Sequence, residues 1–416
     1  MTNASIITIG DELLIGQVTD TNSAWMAQEL NKAGIWVKRR VAVGDNGEEI
    51  RRTLDEESAV SDIILITGGL GPTADDITKP LLCDYFQTRM VVDEEALKNV
   101  KYIFETVFKR PVIERNLKQA EVPESCTVIR NKRGTAPGML FERNGKIFVS
   151  MPGVPHEMKG MMTDEVIPFL MKKFRMPFIA HRTLLTAGVG ESFLAEHIQE
   201  FETALPENIR LAYLPGYGMV RLRLTGIGND PAVIEPETDA RFARLKELVS
   251  EWMVTDEDIS LQEALGKLLK SRKQTLAAAE SCTGGYIAHL ITSIPGSSAY
   301  FQGGLIPYQN RIKEKVLQVQ ENTLMTAGAV SEETVREMIT GTLNLFGSDY
   351  ALAVSGIMGP DGGTETKPVG TVWIAVGNKQ STETRKLGFR FDRLRNIELT
   401  STNVLNLLRK FILSQP

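Results

Sequence analysis

The run Asp62-Ile-Ile-Leu-Ile-Thr67 leads straight into Gly68-Gly69. Such an apolar stretch, closed by glycines, predicts a strand buried on both faces. It sits inside a repeating pattern. A short strand over 5–9 ends at Gly10, and an amphipathic helix over 22–34 stops at a glycine. A strand over 36–43 and a helix over 48–61 come next. Strands alternating with helices of this length predict a parallel sheet with helices on both faces. Sheets of this kind bind ligands at the carboxyl ends of their strands. A helix over 94–108, a Gly/Pro loop over 133–138, a strand over 146–151 and a helix ending near residue 173 complete this segment.

The pattern changes near residue 175. A strand, a helix over 191–201, two strands flanking Pro215-Gly-Tyr-Gly218 and a helix over 236–254 predict a small α+β module. Asp256-Glu-Asp258 reads as a link. After it, strand and helix alternate again, with a helix over 261–271, strands over 350–354, 370–376 and 382–391, and a closing helix over 397–412. The expected fold class is α/β, with an α/β domain over 1–174, an α+β module over 175–256 and a second α/β domain over 257–416.

Composition narrows the function classes. The 416 residues contain 42% hydrophobic and 24% charged residues, as in soluble globular chains. A formal net charge of −5 argues against bulk binding to nucleic acid or anionic membranes. Cys83, Cys126 and Cys282 are odd in number and widely spaced, which implies neither a disulfide framework nor a structural zinc. A reducing, cytoplasmic compartment is expected. The first residues lack a basic n-region, and no membrane span is expected because no run reaches ~20 apolar residues.

Two constellations carry chemistry. In the last domain, an apolar stretch over 275–279 precedes Glu280-Ser-Cys-Thr-Gly-Gly285. Ser281 at a strand end, beside a Gly-rich helix start, has amide N–H groups near it for an oxyanion. A helix cap explains Ser281 equally well from this stretch alone. The four histidines (His156, His181, His197, His289) fall in no nucleophile–base pattern. Lys313, in Tyr308-Gln-Asn-Arg-Ile-Lys313, serves as a base if burial lowers its pKa. Cys282 reads as a small buried thiol. Ser355-Gly-Ile-Met-Gly359 through Gly362-Gly363-Thr364 and Lys367 to Thr371 follows a strand. It reads as a phosphate cradle or as a surface loop. Tyr308 reads as a core or rim aromatic.

In the first domain, Thr67-Gly68-Gly69-Leu-Gly71-Pro-Thr73-Ala-Asp75-Asp76-Ile-Thr78 follows the buried strand. Its glycines admit an anion, and adjacent carboxylates suit a divalent ion. Helix capping is the alternative for Asp75 and Asp76. Asp11 and Glu12 end another strand, and Pro152-Gly-Val-Pro155-His156-Glu157 follows a third. The pattern is neither GxGxxG nor a P-loop.

Taken together these motifs resemble the bacterial competence/damage-inducible CinA family along nearly the whole chain. The N-terminal motifs are Gly10-Asp-Glu-Leu-Leu-Ile-Gly16, Asp20-Thr-Asn22-Ser23, Thr67–Thr78, Arg115-Asn116 through Gln119-Ala120, and Met151–Glu157. They resemble the molybdopterin-binding-like domain. Glu280–Gly285, Gly303-Gly304 through Lys313, and Ser355–Thr371 resemble the nicotinamide-nucleotide amidase domain.

The resemblance implies hydrolysis of nicotinamide mononucleotide to nicotinate mononucleotide and ammonia. Ser281 would be the nucleophile and Lys313 its base, with Tyr308 nearby. The binding residues implied are Thr283, Gly284, Gly285, Ser355, Gly356, Gly359, Gly362, Gly363, Thr364, Lys367 and, near the last helix, Arg393. For the first domain it implies ADP-ribose pyrophosphatase activity. There Gly68, Gly69, Gly71, Thr73 and Asn22 would hold the substrate, and Asp75, Asp76 and Glu12 a divalent ion such as Mg2+, with K+ as a further candidate. A homodimer is implied. The alternative for this domain is a pterin- or nucleotide-binding module, in a chain acting partly as an interaction protein in competence or DNA damage. The middle module resembles the family's KH-like domain but lacks the Gly-x-x-Gly basic loop, so a linker or dimer-contact role is expected and direct nucleic-acid binding is not.

Overall fold

The computed structural model describes residues 2–73 and 76–415. The chain forms two compact units, Met1–Ile179 with Ile227–Ile234, and Ala180–Gly226 with Glu235–Pro416.

Six strands of the first unit form one sheet. Their order across it is Trp36–Val43, Asn3–Ile9, Ile63–Thr67, Lys146–Met151, Gly138–Arg143 and Thr127–Ile129. The first four run parallel, and the last two pairings are antiparallel. The apolar run at 63–67 is an interior strand, and all five of its residues are buried. Because side chains alternate along a strand, Ile63 and Leu65 pack with Met26, Leu30 and Met158 on one face. Ile64 and Ile66 pack with Leu54, Leu82 and Phe141 on the other. Each such side chain contributes about 1.5–3 kcal/mol relative to exposure, which is why this strand tolerates no charge. Helix Thr21–Lys32 starts where Asp20 accepts the Ser23 amide at 2.9 Å. The helix expected over 94–108 stays α only to Tyr102 and then loosens into a π turn, Ile103–Val107.

In the second unit, Ile209–Gly216, Met219–Gly228, Phe178–Ala187 and Met253–Thr255 line up as one sheet in that order. The helix expected to run to 254 ends at Leu248 instead. The β-branched Val254 and Thr255 belong to the short strand Met253–Thr255, which pairs antiparallel with the Thr186 region. Leu184, Leu194, Leu222, Leu245 and Val249 form the core beneath this sheet. The acidic link is held down by ion pairs, Asp256 with Lys246 at 2.9 Å, Glu257 with Lys267 at 2.5 Å, and Asp258 with Arg221.

The C-terminal sheet has the order Phe301–Leu305, Leu276–Glu280, Tyr350–Gly356, Thr371–Gly377 and Thr382–Gly388. Its first three strands are parallel and the other pairings antiparallel. Leu261–Arg272 and Arg393–Ser414 cover one face, with Leu265, Leu269, Val404 and Leu408 against Leu276 and Ala278. Glu332–Phe346, a helix that sequence reading passed over, covers the other with Met338 and Ile339 against Ala279 and Ala353. The closing helix begins at Arg393 rather than 397, because Asp392 accepts the Arg395 amide at 3.0 Å. Among the described residues no helix is long and apolar enough to cross a membrane.

Candidate active site

Strand Leu276–Glu280 delivers Ser281 to the carboxyl end of the C-terminal sheet. There the Ser281 amide donates to the Val354 carbonyl of the neighbouring strand at 3.1 Å. The chain then turns through Gly284 and Gly285, at φ 63° and 97°, into helix Tyr286–Thr292. Only glycine adopts such angles without strain.

Glu280 holds this turn. Its side chain is 1% exposed. One carboxylate oxygen accepts from the Thr283 hydroxyl at 2.8 Å and from the amides of Gly285 at 3.1 Å and Ile287 at 2.9 Å. The other accepts from the Ala288 amide at 2.7 Å. A carboxylate at a helix N-terminus satisfies orphan donors and complements the dipole. This changes where an oxyanion can sit, because Glu280 has taken the helix-end amides that the Gly-rich start suggested. Within the turn, no backbone carbonyl among the described residues takes the amides of Cys282 and Thr283, while that of Gly284 reaches back to the Ser281 carbonyl at 3.3 Å. Sequence reading missed Glu280. The signal was a carboxylate at the end of an otherwise apolar buried strand.

Lys313 lies on helix Asn310–Leu317 and is 1% exposed. Its Nζ is 3.1 Å from Ser281 Oγ, 2.7 Å from the Pro307 carbonyl and 3.5 Å from the Tyr308 carbonyl. Among the described residues no carboxylate pairs with it. Burial therefore pushes its pKa below the usual 10.5, opposed only by the nearby Cys282. Cys282 is 5% exposed, and burial pushes its thiol up to about 12. It is a core group, as expected of a buried thiol.

The other expected residues divide. Tyr308 is 59% exposed on the rim. Its phenol oxygen lies 3.1 Å from Arg393 Nη2, and its carbonyl, not its ring, reaches Lys313. Arg393 Nη1 donates to the Gly359 carbonyl at 2.8 Å, so one guanidinium joins the Gly-rich loop to Tyr308. Ser355 is buried and donates to the Ala329 carbonyl at 2.7 Å, and Gly356 ends the same strand. The Thr283 hydroxyl is spent on Glu280. Gly362, Gly363 and Thr364 are exposed along the loop. The loop folds on itself: the Lys367 amide donates to Thr364 Oγ1 at 3.0 Å, and Lys367 Nζ to the Ala327 carbonyl at 2.7 Å. Its free hydrogen-bonding groups therefore belong to the exposed stretch before Lys367.

In the first unit, the Gly68–Thr73 loop leaves the interior strand Ile63–Thr67. Gly68 and Gly69 take φ 116° and 65°, and a Cβ there would strike the Ile9 carbonyl and the Thr78 hydroxyl. Asp76 accepts from the amides of Gly71 and Thr73, both at 2.8 Å, and from the Thr73 hydroxyl. Its carboxylate thus closes its own loop. Asp75 lies outside the described residues. Asp11 and Asp45 exchange amide-to-carboxylate bonds at 3.1 Å. Glu12 lines a cavity of about 130 Å³ with Thr8, Asp20, Asn22, Thr67 and Gly153. Asn22 donates to the Gly153 carbonyl at 2.7 Å, while its buried Oδ1 has no partner among the described residues. No three Asp, Glu, His or Cys side chains among the described residues converge as metal ligands.

Three family models match the chain: the probable molybdopterin binding domain over residues 5–172, the damage-inducible protein CinA KH domain over 181–253, and the CinA C-terminal domain over 258–412. A CinA-like protein of Cytophaga hutchinsonii is 46% identical over 407 residues, 98% of this chain and 97% of that protein. A putative competence-damage inducible protein of Caldicellulosiruptor bescii is 41% identical over 411 residues, 99% of each chain. A crystal structure of a competence-damaged protein (CinA) superfamily protein from Klebsiella pneumoniae is 34% identical, covers 37% of this chain and 97% of its own, and has a TM-score of 0.37. With matches of this extent across all three parts, the chain belongs to the CinA family, with a molybdopterin-binding-like domain, a KH-like module and the CinA C-terminal domain in that order.

Proposed function

We propose that the C-terminal domain is an amidase that hydrolyses nicotinamide mononucleotide to nicotinate mononucleotide and ammonia. The observation that carries this reading is the buried, carboxylate-free Lys313 amine 3.1 Å from Ser281 Oγ. A serine hydroxyl needs a base, and a desolvated amine supplies one without histidine. The neutral amine takes the Ser281 proton as Oγ attacks the carboxamide carbon. The oxyanion that forms is aimed at the Cys282 and Thr283 amides, the open donors of the turn. The lysine ammonium then protonates the departing nitrogen, which leaves as ammonia. Water, deprotonated by the same amine, cleaves the ester and frees Ser281. Arg393 and the exposed residues of the Gly362–Thr364 stretch provide the polar surface for ribose and phosphate.

Ammonia release by the purified full chain tests this directly. Ser281→Ala should abolish it while leaving ADP-ribose cleavage unchanged, and deamidation that persists in a clean Ser281→Ala sample refutes the nucleophile. For the N-terminal domain, the buried Asn22 Oδ1, which has no partner among the described residues, lines a small cavity and supports a bound small molecule. We propose ADP-ribose cleavage there, tested by AMP release with and without added Mg2+. Pterin binding with no AMP formed replaces that reading with the binding-module alternative.

A further inference from the structure

The middle module carries no catalytic group, yet its hairpin reaches the edge of the Ser281 site. The strands Ile209–Gly216 and Met219–Gly228 turn at Tyr217-Gly218. A Cβ on Gly218 would lie 3.4 Å from Thr402 and 3.6 Å from Leu399, so the tip rests on the closing helix of the amidase domain. The contact is built, not incidental. Leu185, from the module's own sheet, belongs to the hydrophobic core formed by Leu261, Leu265, Val404 and Leu405, and Met219 packs on that core.

Tyr217, at this tip, faces the start of the closing helix. The Arg395 guanidinium lies over its ring, 5.7 Å from the centroid, and over the Phe391 ring at 3.9 Å. Arg395 thus packs on two aromatic rings, one from the module and one just before the closing helix. Two residues earlier in the same first turn, Arg393 binds the Gly359 carbonyl and Tyr308. Asn396, one residue after Arg395, donates to the Met358 carbonyl at 3.1 Å and to the Phe391 carbonyl at 3.0 Å. The Arg393 and Asn396 bonds to the Gly-rich loop thus leave from residues one or two positions from Arg395. Tyr217 also shares a cavity of about 220 Å³ with Tyr286, the first residue of the helix that follows the Ser281 turn.

We infer that Tyr217 is a positioning residue for the amidase site: by stacking on Arg395 it orients the Arg393 guanidinium against the Gly-rich loop and so sets substrate affinity. The inference rests on the amidase reading and deepens it, because it gives the KH-like module a part in the reaction. Tyr217 touches neither Ser281 nor Lys313 among the contacts above. Its loss should therefore weaken binding and leave bond cleavage alone.

Tyr217 is 48% exposed, so its truncation leaves the core intact. In the full chain, Tyr217→Ala should raise KM for nicotinamide mononucleotide roughly 2- to 5-fold, the range of one exposed cation–π contact, with kcat preserved. Tyr217→Phe, which keeps the ring, should restore the wild-type KM. Arg395→Gln should match Tyr217→Ala, and the double variant should be no worse than either single one. Binding of nicotinamide mononucleotide to the Ser281→Ala chain, with and without Tyr217→Ala, gives the same comparison without turnover. An unchanged KM in folded Tyr217→Ala, a fall in kcat instead, or additive effects in the double variant overturn the inference. A wild-type chain that neither binds nor deamidates nicotinamide mononucleotide refutes the amidase reading itself, and this inference with it. A chain that binds without turnover refutes only the catalytic assignment, and the binding comparison still decides the role of Tyr217.

Discussion

Glu280→Gln isolates the group that shapes the nucleophile turn. The wild-type carboxylate takes three donors on one oxygen and the Ala288 amide on the other. A glutamine has one acceptor oxygen. Facing that oxygen toward Thr283, Gly285 and Ile287 keeps three bonds and sets an NH2 against the Ala288 N–H. The opposite flip keeps the Ala288 bond, lets the Thr283 hydroxyl turn to accept from the NH2 and opposes the two amides of Gly285 and Ile287, so the first is adopted. The site is 1% exposed, and water cannot replace the lost acceptor. Losing one charge-assisted bond and orphaning a buried donor costs about 2–3 kcal/mol. Because the three remaining bonds also lose their charge assistance, this is a lower bound. The assay is native-state hydrogen exchange of the full chain, with ammonia release measured alongside. Local opening of the turn should become roughly 30- to 150-fold easier, which is 2–3 kcal/mol expressed as an equilibrium ratio. The loss of protection should concentrate at Gly285, Ile287 and Ala288. The kcat should fall, because Ser281 and the amides of Cys282 and Thr283 ride on the same turn, while the pH dependence set by Lys313 stays in place. Wild-type protection at those three amides in Glu280→Gln would refute the claim that the carboxylate holds the turn.

Two further expectations concern the same centre. Burial lowers the Lys313 pKa below 10.5 and the base must be neutral, so ammonia release should rise with pH through a single ionisation below that value; Lys313→Met should remove both the activity and that limb, and a limb that survives in residual Lys313→Met activity assigns it to another group. Burial pushes the Cys282 thiol up to about 12, so iodoacetamide at pH 8 should leave the enzyme active and Cys282→Ala should keep ammonia release, whereas inactivation by alkylation mapped to Cys282 would contradict its place in the core.

Much of the architecture follows from local pattern. The unbroken apolar run 63–67 has to be an interior strand, because burying both faces is the only way to remove such a surface from water. Glycines at or shortly after strand ends mark turns with positive φ, as at Gly68, Gly284 and Gly285. The chain's order of strands and helices, and the position of Ser281 at a strand end, were legible for that reason. The helix Glu332–Phe346 was legible in principle from its Ser331 cap and escaped reading. The end of the helix at Leu248 was set by strand pairing of Met253–Thr255, which propensity over one segment does not foresee.

The chemistry was divided differently. Residue types and their order determined that Ser281 and Lys313 were the groups to watch, since few other nucleophile–base partners are available in the chain. That their atoms meet, 32 positions apart, was decided by packing of helix Asn310–Leu317 against the end of the sheet. Tertiary contacts likewise turned the Tyr308 phenol toward Arg393 and set Tyr217 on Arg395, whereas Glu280 and Asp76 bond to amides within eight residues of themselves. A side chain's partners depend on what folding brings within about 3 Å of it, and that is a property of the packed chain and not of its neighbours in sequence.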